Sequence, residues 1–208
     1  DTERPQLAAY KFAYENFNHE FDWVAFIDGD EFLFPTQNEN IRDVLSNFNY
    51  KKLSALAVYW SCFGSNHHII EPNGLITDNY RMRANDEFEA NRHIKSIVRG
   101  RQGAAFDITY NSHIFKTIFG TYDEKLRLIE TGLTKYEPSY DLLRINHYVC
   151  QSYEYFRQFK QQSGAADVNI NYQRTDEWWD SHNKNDIWDT SLEHLKQNLN
   201  KKMLEIDY

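Results

Sequence analysis

An apolar strand that ends in a cluster of acids constrains this chain more than any other feature. Residues 23–27 (WVAFI) form an unbroken apolar run whose aromatic and β-branched members favour a buried strand. The run stops at Asp28-Gly29-Asp30-Glu31, and apolar residues return at once over residues 32–35 (FLFP). An exposed turn is the alternative, but such a turn does not need three acids between two apolar runs. The pattern favours a ligand site at the end of a strand.

Asp28 and Asp30 have the chemistry of a metal site. Two carboxylates held two residues apart repel each other, and a hard divalent cation relieves the repulsion. Gly29 between them carries no side chain, so a bulky ligand is able to approach the backbone. We therefore expect Mn²⁺ or Mg²⁺ at this point, shared with the diphosphate of a ligand.

Two other kinds of site contain a comparable acidic sequence. An EF-hand loop beginning at Asp28 would place Phe32 and Leu33 where the loop needs an oxygen ligand and a turn glycine, so the sequence excludes it. A phosphatase of the haloacid dehalogenase type also carries Asp-x-Asp after an apolar strand, with the first Asp as nucleophile. Phe32 stands where that family expects Thr or Val, but the phosphatase remains an alternative.

Helical and strand patterns are mixed along the rest of the chain, which predicts an α/β fold. The predicted helices are residues 6–18, 41–48 with Asn40 as N-cap, 152–162 with Ser152 as N-cap and Gly164 as stop, and 191–204. The predicted strands are residues 23–27, 53–60, 94–99, 113–116, 126–130 and 142–148. We expect residues 1–208 to form one domain, with 151–208 as its helical C-terminal part.

Charge and composition limit the classes of binding partner and the cellular location that we expect. The net charge is −8, from 23 basic and 31 acidic residues, so we expect no nucleic-acid partner. The most apolar stretch, residues 53–64, is too short to span a bilayer, and no secretory leader is visible. Two cysteines indicate no disulfide framework. We expect a cytoplasmic protein that works at the inner face of the membrane through peripheral association.

Five sequence blocks, in order over residues 6–195, resemble glycosyltransferase family 92 and the related bacterial family-2-like glycosyltransferases. The central block, residues 22–35 (DWVAFIDGDEFLFP), resembles their Asp-x-Asp block. Gln6 and Tyr10 match the preceding helix, Lys95-Ser96-Ile97-Val98 matches a later strand, and His113 stands where a lone His is usual. The other two are the acceptor-side segment, residues 60–67 (WSCFGSNH), and the closing block Asn146-His147-Tyr148 with Ser152, Phe156, Lys160, Gly164 and Asp167.

The resemblance implies a GT-A-like fold, with a mixed but mostly parallel sheet flanked by helices. It also implies a metal-dependent glycosyltransferase that moves a hexose from a nucleotide sugar, UDP-linked, to a glycan or lipid-linked glycan with inversion. Such domains open with a nucleotide-binding strand-helix-strand that this sequence lacks before Gln6, so we expect a truncated N-terminus. A non-catalytic, metal-dependent carbohydrate-binding remnant is a further alternative.

The resemblance also implies roles for individual residues. Asp28, Asp30 and His147 would ligate Mn²⁺ or Mg²⁺, and Lys95 would contact the donor diphosphate. The residues implied to bind substrate are Trp60, Gly64, Ser65, His67 and His113. Glu31 is the candidate base for the acceptor proton, although neighbouring strand residues face opposite sides and a structural role is the alternative. The other candidate bases are Asp86, Glu87, Asp107 and Asp123.

Overall fold

A computed structural model describes residues 4–37, 40–49, 52–101, 104–162 and 173–195. The strands are β1 (Trp23–Ala25), β2 (Glu31–Pro35), β3 (Ala55–Cys62), β4 (Met82–Arg83), β5 (Ile94–Arg99), β6 (Ala105–Asp107), β7 (Lys116–Thr117), β8 (Thr121–Asp123), β9 (Leu128–Ile129), β10 (Leu143–His147) and β11 (Ile187–Trp188). The α-helices are α1 (Pro5–Phe17), α2 (Ile41–Ser46), α3 (Ile76–Asn79), α4 (Tyr153–Tyr155) and α5 (Asp176–His182). Shorter turns are 3₁₀-helical at Asn18–Glu20 and Glu89–Arg92, and π-helical at Phe156–Lys160. Within these ranges no helix is both long and apolar enough to cross a membrane.

The central strand of the main sheet is β3. The order across this seven-stranded sheet is β1-β5-β3-β10-β2, with β8 beside β3 and β9 beside β8. β10 and β8 run parallel to β3, whereas β5 runs antiparallel to it. The pairs β1–β5, β2–β10 and β8–β9 are antiparallel as well. The predicted α/β class is confirmed, but the prediction of a mostly parallel sheet is wrong.

The connections explain why antiparallel pairs dominate. A parallel pair needs a crossover that returns the chain to the same end of the sheet, usually through a helix. Between β3 and β5 the chain forms only the short α3, β4 and a 3₁₀ turn. The chain therefore enters β5 from the end at which β3 stops and runs back along it.

Local sequence signals gave several boundaries correctly. The helix predicted for residues 6–18 is α1, and the strand predicted for 94–99 is β5. Both predicted N-caps are confirmed, because Asn40 Oδ1 accepts from Arg42 N at 2.9 Å and Ser152 Oγ accepts from Tyr155 N at 3.0 Å.

The predicted strand 113–116 is wrong: most of it is a loop, in which His113 N donates to the Asn111 side chain. Gly164 and most of the predicted 191–204 helix lie outside the described residues.

Apolar residues cover both faces of the sheet. On one face α2 packs against a cluster that includes Leu56, Val58 and Ile97. On the other face α1 packs against Ala55 and Val98. Successive strand residues face opposite sides, so β3 is apolar at nearly every position. Towards the C-terminal end of β3, the face that α2 covers also carries ionisable side chains. Lys95 of β5 and His147 of β10 lie there beside Trp60 of β3.

An ion cluster ties the segment after α5 to the sheet. Asp189 Oδ2 lies 2.9 Å from Arg83 Nε and 2.8 Å from Arg144 Nη2, and the Asp189 side chain is only 8% exposed. Burial by itself raises the pKa of Asp189, but the charge of Arg144 and hydrogen bonds from Ser191 outweigh it and hold that pKa below its ordinary value. Nearby, β11 pairs with β4.

Asp189→Asn should lower the free energy of unfolding by about 3 kcal/mol at pH 7, because the largely buried guanidinium of Arg144 loses its counter-charge and that of Arg83 keeps only the exposed Asp86. A carboxyl whose pKa is lowered by folding stabilises the fold above its unfolded pKa and loses that effect as the pH falls through its folded pKa. The difference in free energy of unfolding between wild type and Asp189→Asn should therefore shrink below about pH 4. Urea unfolding at several pH values measures both effects.

Asp141→Asn, at an exposed ion pair with Lys125, is the control and should change stability by less than about 1 kcal/mol. Equal stability of wild type and Asp189→Asn at pH 7 contradicts this account.

Gly64 lies where the same C-terminal segment touches the end of β3. A Cβ at Gly64 would stand 2.2 Å from Lys184 O and 2.6 Å from Asn185 Oδ1. The next two residues donate backbone hydrogen bonds of 2.7 Å to the side chains of Asn183 and Asn185. The close backbone approach is a sufficient reason for a glycine at this position.

Gly64→Ala should therefore destabilise the protein by about 3 kcal/mol, because the Lys184 backbone has to move. Gly29→Ala is the matched comparison, since nothing lies within 4 Å of a Cβ built there. We expect Gly29→Ala to change stability by less than about 1 kcal/mol. Thermal unfolding of both variants measures the contrast, and similar melting temperatures for the two would refute the packing argument.

Candidate functional site

The acidic loop crosses one end of the sheet. β1 pairs with β5 and β2 pairs with β10, and these two pairs lie on opposite sides of β3. The turn that joins β1 to β2 must therefore pass over the ends of the strands between them. It closes with a hydrogen bond of 3.0 Å from Glu31 N to Asp28 O. This path brings the loop to Lys95 on β5 and His147 on β10.

Asp28 faces Lys95 and helix α1. Its Oδ2 atom lies 2.8 Å from Lys95 Nζ, and its Oδ1 atom accepts from Gln6 Nε2 at 2.6 Å and from Tyr10 Oη at 3.2 Å. The Lys95 side chain is only 1% exposed. Burial, followed by the nearby charge of Asp28, raises the pKa of Tyr10, which therefore acts as a neutral donor. Both carboxylate oxygens of Asp28 thus have partners from the protein, and its side chain is 37% exposed.

Glu31 lies beneath this loop with no exposed side-chain area. Its Oε2 atom accepts from Asp28 N at 3.2 Å, and its Oε1 atom lies 3.8 Å from Lys95 Nζ. Burial raises the pKa of Glu31. A general base has to reach the proton that it abstracts, and this geometry instead favours a positioning role that holds Asp28 and Lys95 in place.

Asp30 points to the other side of the loop, towards β10 and the π-helical turn. Its Oδ2 atom faces His147 Nε2 at 3.7 Å and forms an ion pair with Lys160 Nζ. Burial by itself raises the pKa of Asp30, but the contacts with His147 and Lys160 outweigh it and hold that pKa well below its usual range. Asp30 is therefore an ionised carboxylate with a low exposed fraction.

Trp60 is surrounded by three imidazole rings, one of which, that of His147, faces Asp30. Its ring centroid lies 4.0 Å from that of His147, 4.9 Å from His93 and 5.1 Å from His113. Burial lowers the pKa of His93, whose Nδ1 atom lies 3.1 Å from Ala90 O. Trp60 Nε1 and His147 Nδ1 are buried and have no hydrogen-bond partner among the described residues. Such atoms are uncommon in folded proteins, and a water molecule or an ion is one of the groups that satisfy them.

The other predicted substrate residues lie beyond the end of β3. Gly64 and Ser65 are buried, and Ser65 Oγ accepts from His67 N at 3.2 Å. His67 has a positive φ of 63° and borders a groove of about 440 Å³. The other residues lining this groove include Tyr153, Asp176, Trp179 and Asp180, whereas Asp30 and His147 do not line it. The structure therefore places Gly64, Ser65 and His67 apart from Trp60 and His113.

Four residues of the site were not assigned a role from the sequence: Gln6, Tyr10, His93 and Lys160. His93 lies two residues before Lys95, so the period of a strand could have placed both on one face. Gln6 and Tyr10 lie one helical turn apart, which puts them on a common face of α1. Lys160 stands in the closing block of the family resemblance, but the sequence assigns it no role, because its contact with Asp30 depends on how the π-helical turn packs onto the sheet.

The predicted metal ligands are divided into two groups. No set of three or more His, Cys, Asp or Glu residues in the described part of the chain is arranged around a single metal position. Asp28 is bound by Lys95, whereas Asp30 and His147 face each other. Mg²⁺ commonly uses one or two carboxylates and completes its coordination with phosphates and water. The Asp30 carboxylate fits that pattern, whereas an imidazole such as that of His147 is a ligand for transition-metal ions. The Lys160 ammonium already places a positive charge at the Asp30 carboxylate.

Comparison with known proteins agrees with the resemblance in the sequence. The sequence model of glycosyltransferase family 92 matches residues 3–203. A glycosyltransferase family 92 protein of rice (Oryza sativa subsp. japonica) is 27% identical over 139 residues, which are 65% of this chain and 20% of the relative. The matched part thus spans about a fifth of the length of that relative. Because the family match covers nearly the whole sequence, this chain belongs to glycosyltransferase family 92.

Proposed function

We propose that this glycosyltransferase moves a hexose from a UDP-linked sugar to a glycan or lipid-linked glycan, with inversion, and that a divalent cation binds at Asp30 and His147. The observation that carries the proposal is the 3.7 Å approach of Asp30 Oδ2 to His147 Nε2, where the acidic loop crosses the sheet. Membership of family 92 supports sugar transfer over an Asp-x-Asp phosphatase. A cytoplasmic location at the inner face of the membrane remains part of the proposal.

The chemistry of the proposed step centres on the departing diphosphate. Mn²⁺ or Mg²⁺, when bound, supplies positive charge that stabilises this leaving group. The Asp30 carboxylate is ionised at neutral pH, as an ordinary aspartate is, and so has the charge that a cation requires. Asp28, Lys95 and Glu31 keep the loop in one conformation, so that Asp30 does not have to be reoriented when the donor binds.

The acceptor is proposed to use the groove beside His67. Tyr153 and Trp179 offer aromatic surface, and Asp176 and Asp180 offer carboxylate oxygens for sugar hydroxyl groups. Trp60 contacts the rings of His147, which faces Asp30, and of His113, and both Trp60 and His113 are proposed to contact the transferred sugar. The contact between Lys95 and the donor diphosphate stays a prediction, since the Lys95 ammonium is buried against Asp28.

Calorimetric titration of UDP, GDP and CDP, each with and without Mn²⁺, tests the donor site. We expect Mn²⁺-dependent binding of UDP, which Asp30→Asn weakens by about 100-fold because the proposed metal ligand is lost. Asp28→Asn should weaken it less, since Asp28 faces Lys95, and Asp141→Asn should leave it unchanged. Binding of UDP that is equally strong without Mn²⁺, or in Asp30→Asn, counts against the proposal. Glycan binding without any nucleotide binding would instead favour a carbohydrate-binding remnant.

Glu31→Gln separates a positioning role from a general base. If Glu31 positions the loop, UDP affinity in Mn²⁺ and the transfer rate should both fall, because the amide no longer balances the buried charge of Lys95. The two quantities are measured by calorimetry and by release of UDP from a UDP-hexose donor with an acceptor. A general base would show a different pattern, in which kcat falls by about 10²-fold or more while UDP affinity is unchanged. That second pattern would contradict the positioning role.

A further inference from the structure

We propose that Lys160 competes with the divalent cation for Asp30, so that metal binding must displace the Lys160 ammonium. The inference rests on the proposed function, in which Asp30 and His147 bind the cation. Neither membership of the family nor the Asp-x-Asp sequence specifies how the free enzyme neutralises the carboxylate of Asp30 before the donor binds.

A divalent cation held by Asp30 and His147 would meet Lys160 at one oxygen atom. Lys160 Nζ forms its ion pair with Asp30 Oδ2, and the same oxygen faces His147 Nε2. The exposed fractions of the side chains are 18% for Lys160, 12% for Asp30 and 9% for His147. Charges repel strongly where little water screens them, so an ammonium and a divalent cation do not share this oxygen at contact distance.

The π-helical turn Phe156–Lys160 carries Lys160 to this position. The turn is closed by a 2.8 Å bond from Gln161 N to Phe156 O, and Phe156 is fully buried against Trp179 at a ring distance of 5.0 Å. Turns of this type are rare and often lie at functional sites. Phe156 anchors the start of the turn, and Lys160 at its end reaches Asp30.

Lys160 is easier to displace than Lys95, the other lysine of the site. Lys95 is 1% exposed and lies between two carboxylates, those of Asp28 and Glu31. Lys160 is more exposed and, within the described residues, contacts the carboxylate of Asp30 alone. Withdrawal of Lys160 therefore exposes an ammonium to water, whereas withdrawal of Lys95 would leave two acids without a counter-charge.

Calorimetric titration of Mn²⁺, without nucleotide, into wild type and lysine variants tests the competition. Lys160→Met should bind Mn²⁺ about tenfold more tightly than wild type, because the competing charge is gone; tenfold corresponds to about 1.4 kcal/mol. Lys160→Arg keeps the charge and should bind like wild type. Lys125→Met removes one positive charge at an exposed position and should also bind like wild type. Lys160→Gln repeats the main test should Lys160→Met fail to fold.

The direction of the effect distinguishes competition from damage. A substitution that merely distorts the site weakens metal binding, so tighter binding in Lys160→Met supports the proposal. Unchanged or weaker binding in a folded variant overturns the competition while the proposed metal site stands. If neither wild type nor any variant binds Mn²⁺, the metal part of the proposed function fails, and this inference fails with it.

Discussion

The buried ammonium of Lys95 is the interaction on which the candidate site depends. It neutralises Asp28 and lies near Glu31, whose carboxylate in turn holds the backbone N–H of Asp28. Removing one partner from such a group leaves an unpaired buried charge, which costs several kcal/mol. The acidic loop is therefore fixed across the end of the sheet, and Asp30 is left beside His147. The two carboxylates of the Asp-x-Asp sequence thus have different partners: Asp28 pairs with Lys95, and Asp30 pairs with His147 and Lys160.

Sheet topology makes this arrangement possible. Because β1 and β2 pair on opposite sides of β3, a loop of a few residues connects both halves of the sheet. It brings residues from α1, β5, β10 and the π-helical turn to one place although they are far apart in the sequence. The C-terminal segment is then held at the end of β3 by Asp189 and by the close approach to Gly64.

The sequence predicted the features that depend on neighbouring residues. The caps at Asn40 and Ser152 and the bounds of β5 follow from local patterns. A strand before Asp28 is also present, but the predicted buried strand 23–27 is the edge strand β1, which ends at Ala25 and is only half-buried. The direction of strand pairing did not follow, because it depends on connections whose path is set by tertiary packing. The separation of Asp28 from Asp30 was missed for the same reason: two acids with one residue between them look equivalent in sequence, and only Lys95 and Lys160 make them different.

Asp30 and His147, rather than Asp28, are proposed to form the cation-binding pair. A crystal structure of the protein with Mn²⁺ and UDP tests it most directly, because anomalous scattering locates the metal independently of the protein atoms. The account predicts one manganese peak within bonding distance of Asp30 Oδ2 and His147 Nε2, with Lys160 moved off Asp30 and Asp28 still bonded to Lys95. A manganese ion bound to Asp28, or one bound elsewhere while Lys160 still pairs with Asp30, would contradict it.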